Sequence, residues 1–192
     1  MATRLGVERT DLLNIMLQTL PGIAVTYQGE EMGLLNMHLT WEETIDPAAC
    51  NTDPDRYETY SRDGARTPFP WDTTKNAGFS SANKTWLPVN PDYPTNNVAY
   101  QTAQPNSHLK IFKKLTKLRK HPVLRQGDYE GKLVNNKNVI IYRRWYQDVV
   151  LAVIILNFGN DAETVNVKEA FPEITESELP IYTCSLNTLT EG

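Results

Sequence analysis

The feature that most restricts the fold of this 192-residue chain is a short apolar segment placed directly after a helix. Apolar side chains recur at helical spacing over residues 10–20, Thr10 can serve as the N-cap, and Pro21-Gly22 ends the helix. Residues 23–27, "IAVTY", do not alternate with polar residues, which is typical of a strand buried on both faces of a parallel sheet. The order of helix, tight turn and buried strand predicts an αβ unit.

A long irregular segment, residues 28–105, follows the predicted strand. Gly, Pro, Asn and Asp interrupt it throughout, yet it holds three of the four tryptophans. Loops longer than about 15 residues are uncommon and are usually functional or disordered, and this aromatic content argues against disorder. Because excursions after strands build the active-site face of a (β/α)8 barrel, we expect a functional site here.

A second helix and a group of strands complete the chain. Residues 107–121, "SHLKIFKKLTKLRKH", carry an apolar stripe and a lysine-rich solvated face, with Ser107 as N-cap and Pro122 as the stop. Three strand-like segments follow, "DYEGKLV", "NVIIYRRWY" and "VVLAVIILNFG", and residues 163–171 are a further candidate. The prediction is an αβ domain over residues 1–122 and an antiparallel β domain over residues 123–192.

Charge and spacing exclude several classes of function. A formal net charge of -4 argues against a nucleic-acid partner, and no apolar run approaches the roughly 20 residues that cross a bilayer. His38, His108 and His121 lack the spacing of metal ligands, so no metal site is predicted from these residues. Cys50 and Cys184 can be two free thiols or one disulfide.

Two motifs in and before the long segment carry candidate chemistry. In "YQGEEMGL", Glu30 and Glu31 stand just past the predicted strand, where a carboxylate can bind hydroxyls or act in acid-base chemistry, or where one of them can pair with an arginine. In "YSRDGARTPFPWD", Arg62 offers a planar fork of donors among aromatic residues that suit sugar rings. Arg62 can equally brace the loop through an ion pair. The residues alone indicate a polyol or carbohydrate site.

These motifs, together with "WEETIDPAACN" and "AGFSSANKTWLPVN", resemble the α-glucosidases of the α-amylase superfamily, glycoside hydrolase family thirteen, and among them the insect maltases. The resemblance runs in order from residue 3 to about residue 160. It implies the C-terminal part of a (β/α)8 barrel, with residues 23–27 as the eighth strand and residues 107–121 as the eighth helix, followed by an antiparallel β domain. It also implies hydrolysis, with retention, of terminal α-1,4-linked glucose from maltose, sucrose and short oligosaccharides.

The resemblance assigns roles to individual residues. Arg62 is expected to contact the glucose at the non-reducing end, oriented by an aspartate from another part of the enzyme, and Glu31 is expected to line the site near the next sugar. Three residues are expected to support the loop: Arg66, Asp63 and Trp71. The family commonly has Gln where this chain has Pro70, which cannot donate a backbone hydrogen bond, so contacts near the second sugar are expected to differ.

The family's catalytic carboxylates have no counterpart here, since the Asn-His-Asp motif that carries one of them is absent. The chain is therefore expected to be a C-terminal portion that is inactive alone and has no cofactor of its own, any calcium site of the parent enzyme lying in its N-terminal part. The α-1,4 over α-1,6 preference cannot be read from these residues.

The expected parent enzyme acts on a small α-glucoside, is secreted or anchored at the outer cell surface, and is a candidate homodimer. The triplet Asn83-Lys84-Thr85 is an N-glycosylation sequon, so Asn83 is expected to be exposed and glycosylated. Two alternatives stay open: a non-catalytic relative, such as the heavy chain of an amino-acid transporter, and a separate β-rich binding module.

Overall fold

The computed structural model of the chain describes residues 1–147, 150–174 and 179–187. These ranges contain the helices α1 (Ala2–Leu5), α2 (Thr10–Thr19), α3 (Pro47–Cys50), α4 (Tyr57–Tyr60), α5 (Val98–Ala103), α6 (His108–Leu118), α7 (Pro122–Arg125) and α8 (Val167–Ala170). They also contain the strands β1 (Asp128–Val134), β2 (Val139–Tyr146) and β3 (Val150–Asn157). Short 3-10 turns lie at Val7–Arg9, Glu30–Met32, Asp63–Ala65, Lys75–Gly78 and Asn135–Lys137.

The chain divides into two compact units. The first comprises Met1–Thr10 and Thr26–Lys110, and it contains the long irregular segment. The second comprises Asp11–Val25 and the described residues from Ile111 onward, and it contains the sheet. The domain division at residue 122 stays a prediction.

The two long helices and the three strands predicted from the sequence are confirmed. Helix α2 covers the first periodic segment, and α6 covers the second, where the N–H of Lys110 donates to Ser107 Oγ at 3.2 Å as expected for an N-cap. Pro122 does end this segment, and it also opens α7 at a position where a missing N–H has no cost.

The sheet is antiparallel with the order β1-β2-β3. The β1–β2 connection passes through Asn135 and Asn136, whose φ values are 51° and 54°. Asparagine tolerates this left-handed region better than most residues, so the turn predicted at these two residues is confirmed. Successive residues of a strand point to opposite sides, so the two faces of the sheet carry different side chains. Both faces are packed against other segments.

One face of the sheet packs against helix α2. Tyr142, Ile154 and Leu156 form the buried cluster there, with Leu12 and Met16 from the helix against it. On the opposite face, Ile141 is buried with three residues of the segment that contains α8: Ala170, Phe171 and Ile174. Packing against the sheet thus buries the apolar stripe of α2.

Polar groups hold the C-terminal end of α2 on the sheet. Arg144, which is 1% exposed, donates to the Thr19 carbonyl at 2.5 Å and to three other backbone carbonyls near the start of β1. Burial, and secondarily the charge of Arg119, lowers the pKa of Arg144. The hydroxyls of Tyr142 and Thr19 lie 2.5 Å apart, and burial raises the pKa of Tyr142 to about 12. A cation at a helix C-terminus also stabilises the helix dipole.

The predicted strand at residues 23–27 is not formed. This segment has no regular secondary structure, and Ile23 and Val25 are 92% and 75% exposed. A strand requires a hydrogen-bonded neighbour, and the sheet found among the described residues pairs only β1, β2 and β3.

The candidate strand at residues 163–171 is also wrong. The structure has helix α8 there, because the side chain of Asn166 caps it by accepting the N–H groups of Lys168 and Glu169 at 3.1 and 3.2 Å. An asparagine that caps a helix N-terminus competes with an extended conformation at the same place.

Candidate functional site

Arg62 is held by a buried aspartate, Asp46. Arg62 donates from Nε to Oδ2 at 2.7 Å, from Nη2 to Oδ1 at 2.6 Å, and from its backbone N–H to Oδ2 at 2.9 Å. The side chain of Asp46 is 0% exposed, whereas that of Arg62 is 58% exposed. The hydrogen bonds from Arg62 hold the pKa of Asp46 far below its usual range. Asp46 is therefore a permanent counter-charge.

Asp63 and Asp46 each accept backbone hydrogen bonds from the loop segment that carries the other. Its Oδ2 accepts the backbone N–H groups of Ile45 and Asp46, both at 2.8 Å, and the residue is buried. Asp46 in turn accepts the backbone N–H of Arg62, so each segment satisfies the other's donors. The pair fixes the backbone on both sides of Arg62, which is what preorganisation of a binding group needs.

Arg66, a predicted loop support, contacts Asp46 only at long range. Its Nη1 is 4.0 Å from Oδ2 of Asp46, and its side chain is 34% exposed. The contact is at the limit of an ion pair, so Arg66 adds charge to the cluster more than it adds rigidity.

A pocket in the same unit lies beside the residues that follow Arg62. Gly64 and Ala65 form part of its wall, and Glu30 and Asn90 contribute polar groups. Glu30 Oε2 accepts the backbone N–H of Tyr27 at 3.0 Å, which orients this carboxylate. Arg62 and Glu31 are not among the lining residues, although Glu31 directly follows Glu30, which lines the pocket, and Arg62 lies two positions before Gly64, which also does.

Glu31, which follows Glu30 in the chain, is half-buried and does not line the pocket. Its Oε2 is buried and has no hydrogen-bond partner among the described residues. Burial raises the pKa of Glu31, against the opposing effect of hydrogen bonds from the backbone of Glu31 and Gly29. The side chain is therefore suited to hold a proton at a higher pH than an exposed glutamate.

The segment that carries Phe69, Pro70 and Trp71 is held by backbone hydrogen bonds to two other segments. The N–H of Trp71 donates to the Ala77 carbonyl at 2.8 Å, and the Trp71 carbonyl accepts the N–H of Ala99 at 3.0 Å. Phe69 and Pro70 line the pocket, and the Phe69 and Trp71 rings meet edge to face at 5.0 Å. Trp71, half exposed, therefore supports the pocket wall from outside.

The turn around Ala77, which accepts the hydrogen bond from Trp71, has backbone in the left-handed region. Asn76 and Ala77 have φ values of 53° and 55°, and Gly78 follows at 71°. Ala77 is fully buried, and its carbonyl accepts the N–H groups of Trp71 and Asp72. A non-glycine residue in this region costs roughly 1–2 kcal/mol, and the surrounding hydrogen bonds maintain it.

Asn83, the predicted glycosylation site, is exposed, and its Oδ1 accepts a hydrogen bond from Lys75 Nζ at 3.1 Å. Over the ranges that the structure describes, no group of three His, Cys, Asp or Glu residues could hold a metal ion. Cys50 and Cys184 are both free thiols. No helix in those ranges combines the length and apolar character needed to cross a membrane.

Sequence reasoning missed Asp46. The Asp46-Pro47 pair is a helix-start signal, and Asp46 does cap α3 by accepting the N–H of Ala48 at 3.1 Å. Nothing in the pattern pointed to Arg62, 16 residues later, as its partner. In this structure Arg62 pairs with Asp46, and the aspartate expected from another part of the enzyme stays a prediction.

Comparisons with known proteins show which sequences this chain is similar to. The family model described as "Alpha amylase, catalytic domain" matches residues 1–127. Maltase A1 of Drosophila melanogaster is 49% identical over 187 residues, which are 97% of this chain and 32% of the relative. The salivary alpha-glucosidase of Anopheles gambiae is 50% identical over 185 residues, 96% of this chain and 31% of the relative. The chain thus spans about a third of the length of these relatives.

A solved structure and a more distant relative give similar coverage. The trehalulose synthase MutB from Pseudomonas mesoacidophila MX-45 matches with a TM-score of 0.69 and 28% identity, over 82% of this chain and 32% of that one. The amino acid transporter heavy chain SLC3A1 of Rattus norvegicus is 32% identical over 175 residues, 91% of this chain and 24% of the relative.

Proposed function

The chain belongs to the alpha-amylase family, and on that basis we propose that it forms part of an α-glucosidase, a maltase that releases terminal α-1,4-linked glucose from maltose, sucrose and short oligosaccharides with retention. The observation that carries the proposal is the rigid loop around Arg62 in a chain half identical to maltase and salivary α-glucosidase sequences. Its fold class is the predicted one, the C-terminal part of a (β/α)8 barrel followed by an antiparallel β domain.

In this proposal Arg62 donates to a hydroxyl of the glucose at the non-reducing end. Its side chain is more than half exposed, while Asp46 and Asp63 fix the backbone and the guanidinium from the protein side. Glu31 lies near the second sugar, and its raised pKa suits it to donate a hydrogen bond as a neutral acid. Asp63, Arg66 and Trp71 support these groups.

Retaining hydrolysis requires a nucleophile and an acid-base group about 5 Å apart. We assign both carboxylates, and the transition-state aspartate, to the two thirds of the relatives' length that this chain does not cover. The 192 residues supply substrate contacts and the β domain, so the isolated chain is proposed to have no turnover.

A chimera tests the function directly. This chain would replace the segment that it matches in Maltase A1, and the product would be assayed with maltose and a chromogenic α-glucoside. We expect saturable hydrolysis, and Arg62→Ala should lower kcat/KM by more than about tenfold because a charge-assisted contact to the sugar is lost.

Arg56→Ala is the matched control for that variant. Arg56 forms a comparable ion pair with Asp53, at 2.7 Å, but this pair lies on the outer surface of the unit. Its removal should leave kcat/KM near the value of the unmodified chimera. Equal kinetics for Arg62→Ala and Arg56→Ala would refute the role given to Arg62, and an inactive chimera would refute the α-glucosidase assignment.

The same proposal includes export from the cell, in keeping with the salivary relative, and glycosylation of Asn83. A transporter heavy chain is the second candidate, since SLC3A1 covers 91% of this chain at 32% identity. The higher identity to maltases favours the enzyme, and an active chimera would discriminate against the transporter subunit.

A further inference from the structure

The basic residues of this acidic chain are concentrated in one segment. Between Asp92 and Asp128 there is no Asp or Glu, whereas seven Lys and Arg residues occur there: Lys110, Lys113, Lys114, Lys117, Arg119, Lys120 and Arg125. The rest of the chain holds the other 12 of the 19 basic residues and all 23 acidic ones, a formal net charge of -11. The charge of this segment is therefore opposite in sign to that of the rest of the chain.

Four of these lysines form one exposed surface, which we call the lysine face: Lys113, Lys114, Lys117 and Lys120. The first three lie on α6, and Lys120 lies in the turn that follows, where its N–H donates to the Lys117 carbonyl at 3.2 Å. Spacings of three and four residues bring side chains to the same side of a helix. All four lysines belong to the second unit.

No ion pair joins the lysine face to a carboxylate within the ranges that the structure describes. The neighbouring Arg119 is used differently, since it donates to the carbonyls of Gln18 and Leu20 at 2.6 and 3.2 Å. Like charges four residues apart, such as Lys113 and Lys117, lower the stability of a helix. A negatively charged partner would supply counter-charges and remove that cost.

The packing of α6 restricts the kind of partner. Ile111 and Leu115 are 6% and 1% exposed, so apolar residues of the helix are used inside the protein. Helices that bind a membrane surface place apolar side chains in the lipid, and sites for single-stranded nucleic acid present aromatic rings to the bases. Over α6 and α7, which the structure describes in full, no large apolar or aromatic side chain is exposed. The lysine face is thus suited to a polymer that is recognised by its charge alone.

We propose that the lysine face binds a linear sulfated polysaccharide. A lysine ammonium is a compact charge with three donors, so it can contact a sulfate group in many orientations. The face extends about 10 Å along the helix axis, which lets several sulfate groups of one chain bind together. The choice of an extracellular polymer rests on the export proposed above. This surface is separate from the loop around Arg62, which belongs to the first unit.

Heparin is the probe polymer for the test. Calorimetric titrations compare the full 192-residue chain with a variant in which Lys113, Lys114, Lys117 and Lys120 are each replaced by Gln, a residue of similar helix propensity. In about 50 mM salt the variant should bind heparin at least about tenfold more weakly. Between about 50 and about 200 mM salt its affinity should also fall less steeply, because fewer counterions are released.

The matched control replaces four exposed lysines outside the lysine face by Gln: Lys75, Lys84, Lys137 and Lys168. It changes the net charge by the same amount, and it should keep the affinity and the salt dependence of the wild-type chain. Equal losses of affinity in the two variants would show that net charge alone matters. That result would overturn the proposal, and so would a wild-type chain that does not bind heparin.

Two other polyanions decide the class of partner. Vesicles of phosphatidylserine and phosphatidylcholine in equal parts, and a single-stranded RNA, are titrated into the wild-type chain under the same conditions. Both should bind more weakly than heparin, because the lysine face offers neither apolar anchors nor aromatic rings. Binding of either one as tight as that of heparin would overturn the choice of a sulfated polysaccharide.

A second measurement uses only the wild-type chain, so it does not depend on the folding of a variant. Lysines are acetylated in a brief pulse with and without heparin, and the modified positions are read by mass spectrometry. Heparin should protect the lysine face and leave Lys84 and Lys168 reactive. Absent protection, or protection spread evenly over the lysines, would overturn the proposal. An inactive chimera would instead refute the α-glucosidase assignment, and the heparin measurements would stand independently of it.

Discussion

Replacement of Tyr142 by Phe should lessen the destabilisation that alkali causes in the second unit. Tyr142 is 1% exposed, its hydroxyl lies 2.5 Å from that of Thr19, and its pKa is raised to about 12 by burial. An unfolded tyrosine has a pKa of about 10. Between these values the unfolded chain loses the proton first, so the free energy of unfolding falls as pH rises.

The magnitude follows from the difference of about 2 pKa units. Each unit corresponds to about 1.4 kcal/mol, so titration of Tyr142 should remove about 2.7 kcal/mol between pH 10 and pH 12. Its contribution is fully present below pH 10. At neutral pH, Tyr142→Phe loses one hydrogen bond and should cost about 1 kcal/mol. The two stability curves should therefore cross near pH 11, above which the variant is the more stable protein.

The assay is urea unfolding followed by circular dichroism at intervals from pH 8 to pH 12. Tyr182→Phe is the control, because Tyr182 is 51% exposed in the same unit, and it should follow the wild-type curve. Parallel curves for wild type and Tyr142→Phe would show that Tyr142 does not titrate abnormally, and would refute the link between its burial and alkaline instability.

Three further predictions concern the first unit. In protein secreted from insect cells, mass spectrometry should find a glycan on Asn83 that Asn83→Gln removes, and an unmodified peptide would count against secretion through the glycosylation pathway. The purified chain alone should not hydrolyse maltose, and saturable turnover abolished by Glu31→Gln would make it an enzyme in its own right. Ala77→Gly should raise the free energy of unfolding by about 1 kcal/mol in a denaturant titration, because glycine relieves a left-handed backbone conformation, whereas a loss of stability would show that the buried methyl group matters more.

Elements with a strong local signal could be predicted from the sequence. Helices α2 and α6 have apolar stripes and residues that start or stop them, and β1, β2 and β3 are separated by turn residues such as Asn135. In each case the information lies within about ten residues. The overall fold class could also be predicted, from a resemblance that extends along most of the chain, and a match to the alpha amylase catalytic domain over residues 1–127 supports it.

The loop that carries the candidate site could be located from the sequence, but the ion pairs and hydrogen bonds within it could not be predicted. Charge and aromatic content marked the loop around Arg62, and the resemblance gave that residue a role. The partner of Arg62 is Asp46, and the pairing depends on how two irregular segments fold back on each other. No periodicity describes such a contact, so sequence patterns alone could not separate a substrate contact from a loop brace. The geometry shows that Arg62 braces the loop on one edge and is open on the other, so the brace is present in the structure and the sugar contact stays a proposal.

Residues 23–27 show why a strand is harder to predict than a helix. A helix satisfies its backbone hydrogen bonds within one segment, so α2 forms wherever its apolar face finds cover. A strand satisfies its own only through a neighbour, and the composition of "IAVTY" fits a position between two parallel neighbours and beneath layers on both faces. Among the described residues the sheet is made of β1, β2 and β3, so Ile23 and Val25 lie exposed in an irregular segment. The composition of this segment therefore indicates a position between two neighbouring strands. Its irregular conformation follows because the described residues do not supply those neighbours.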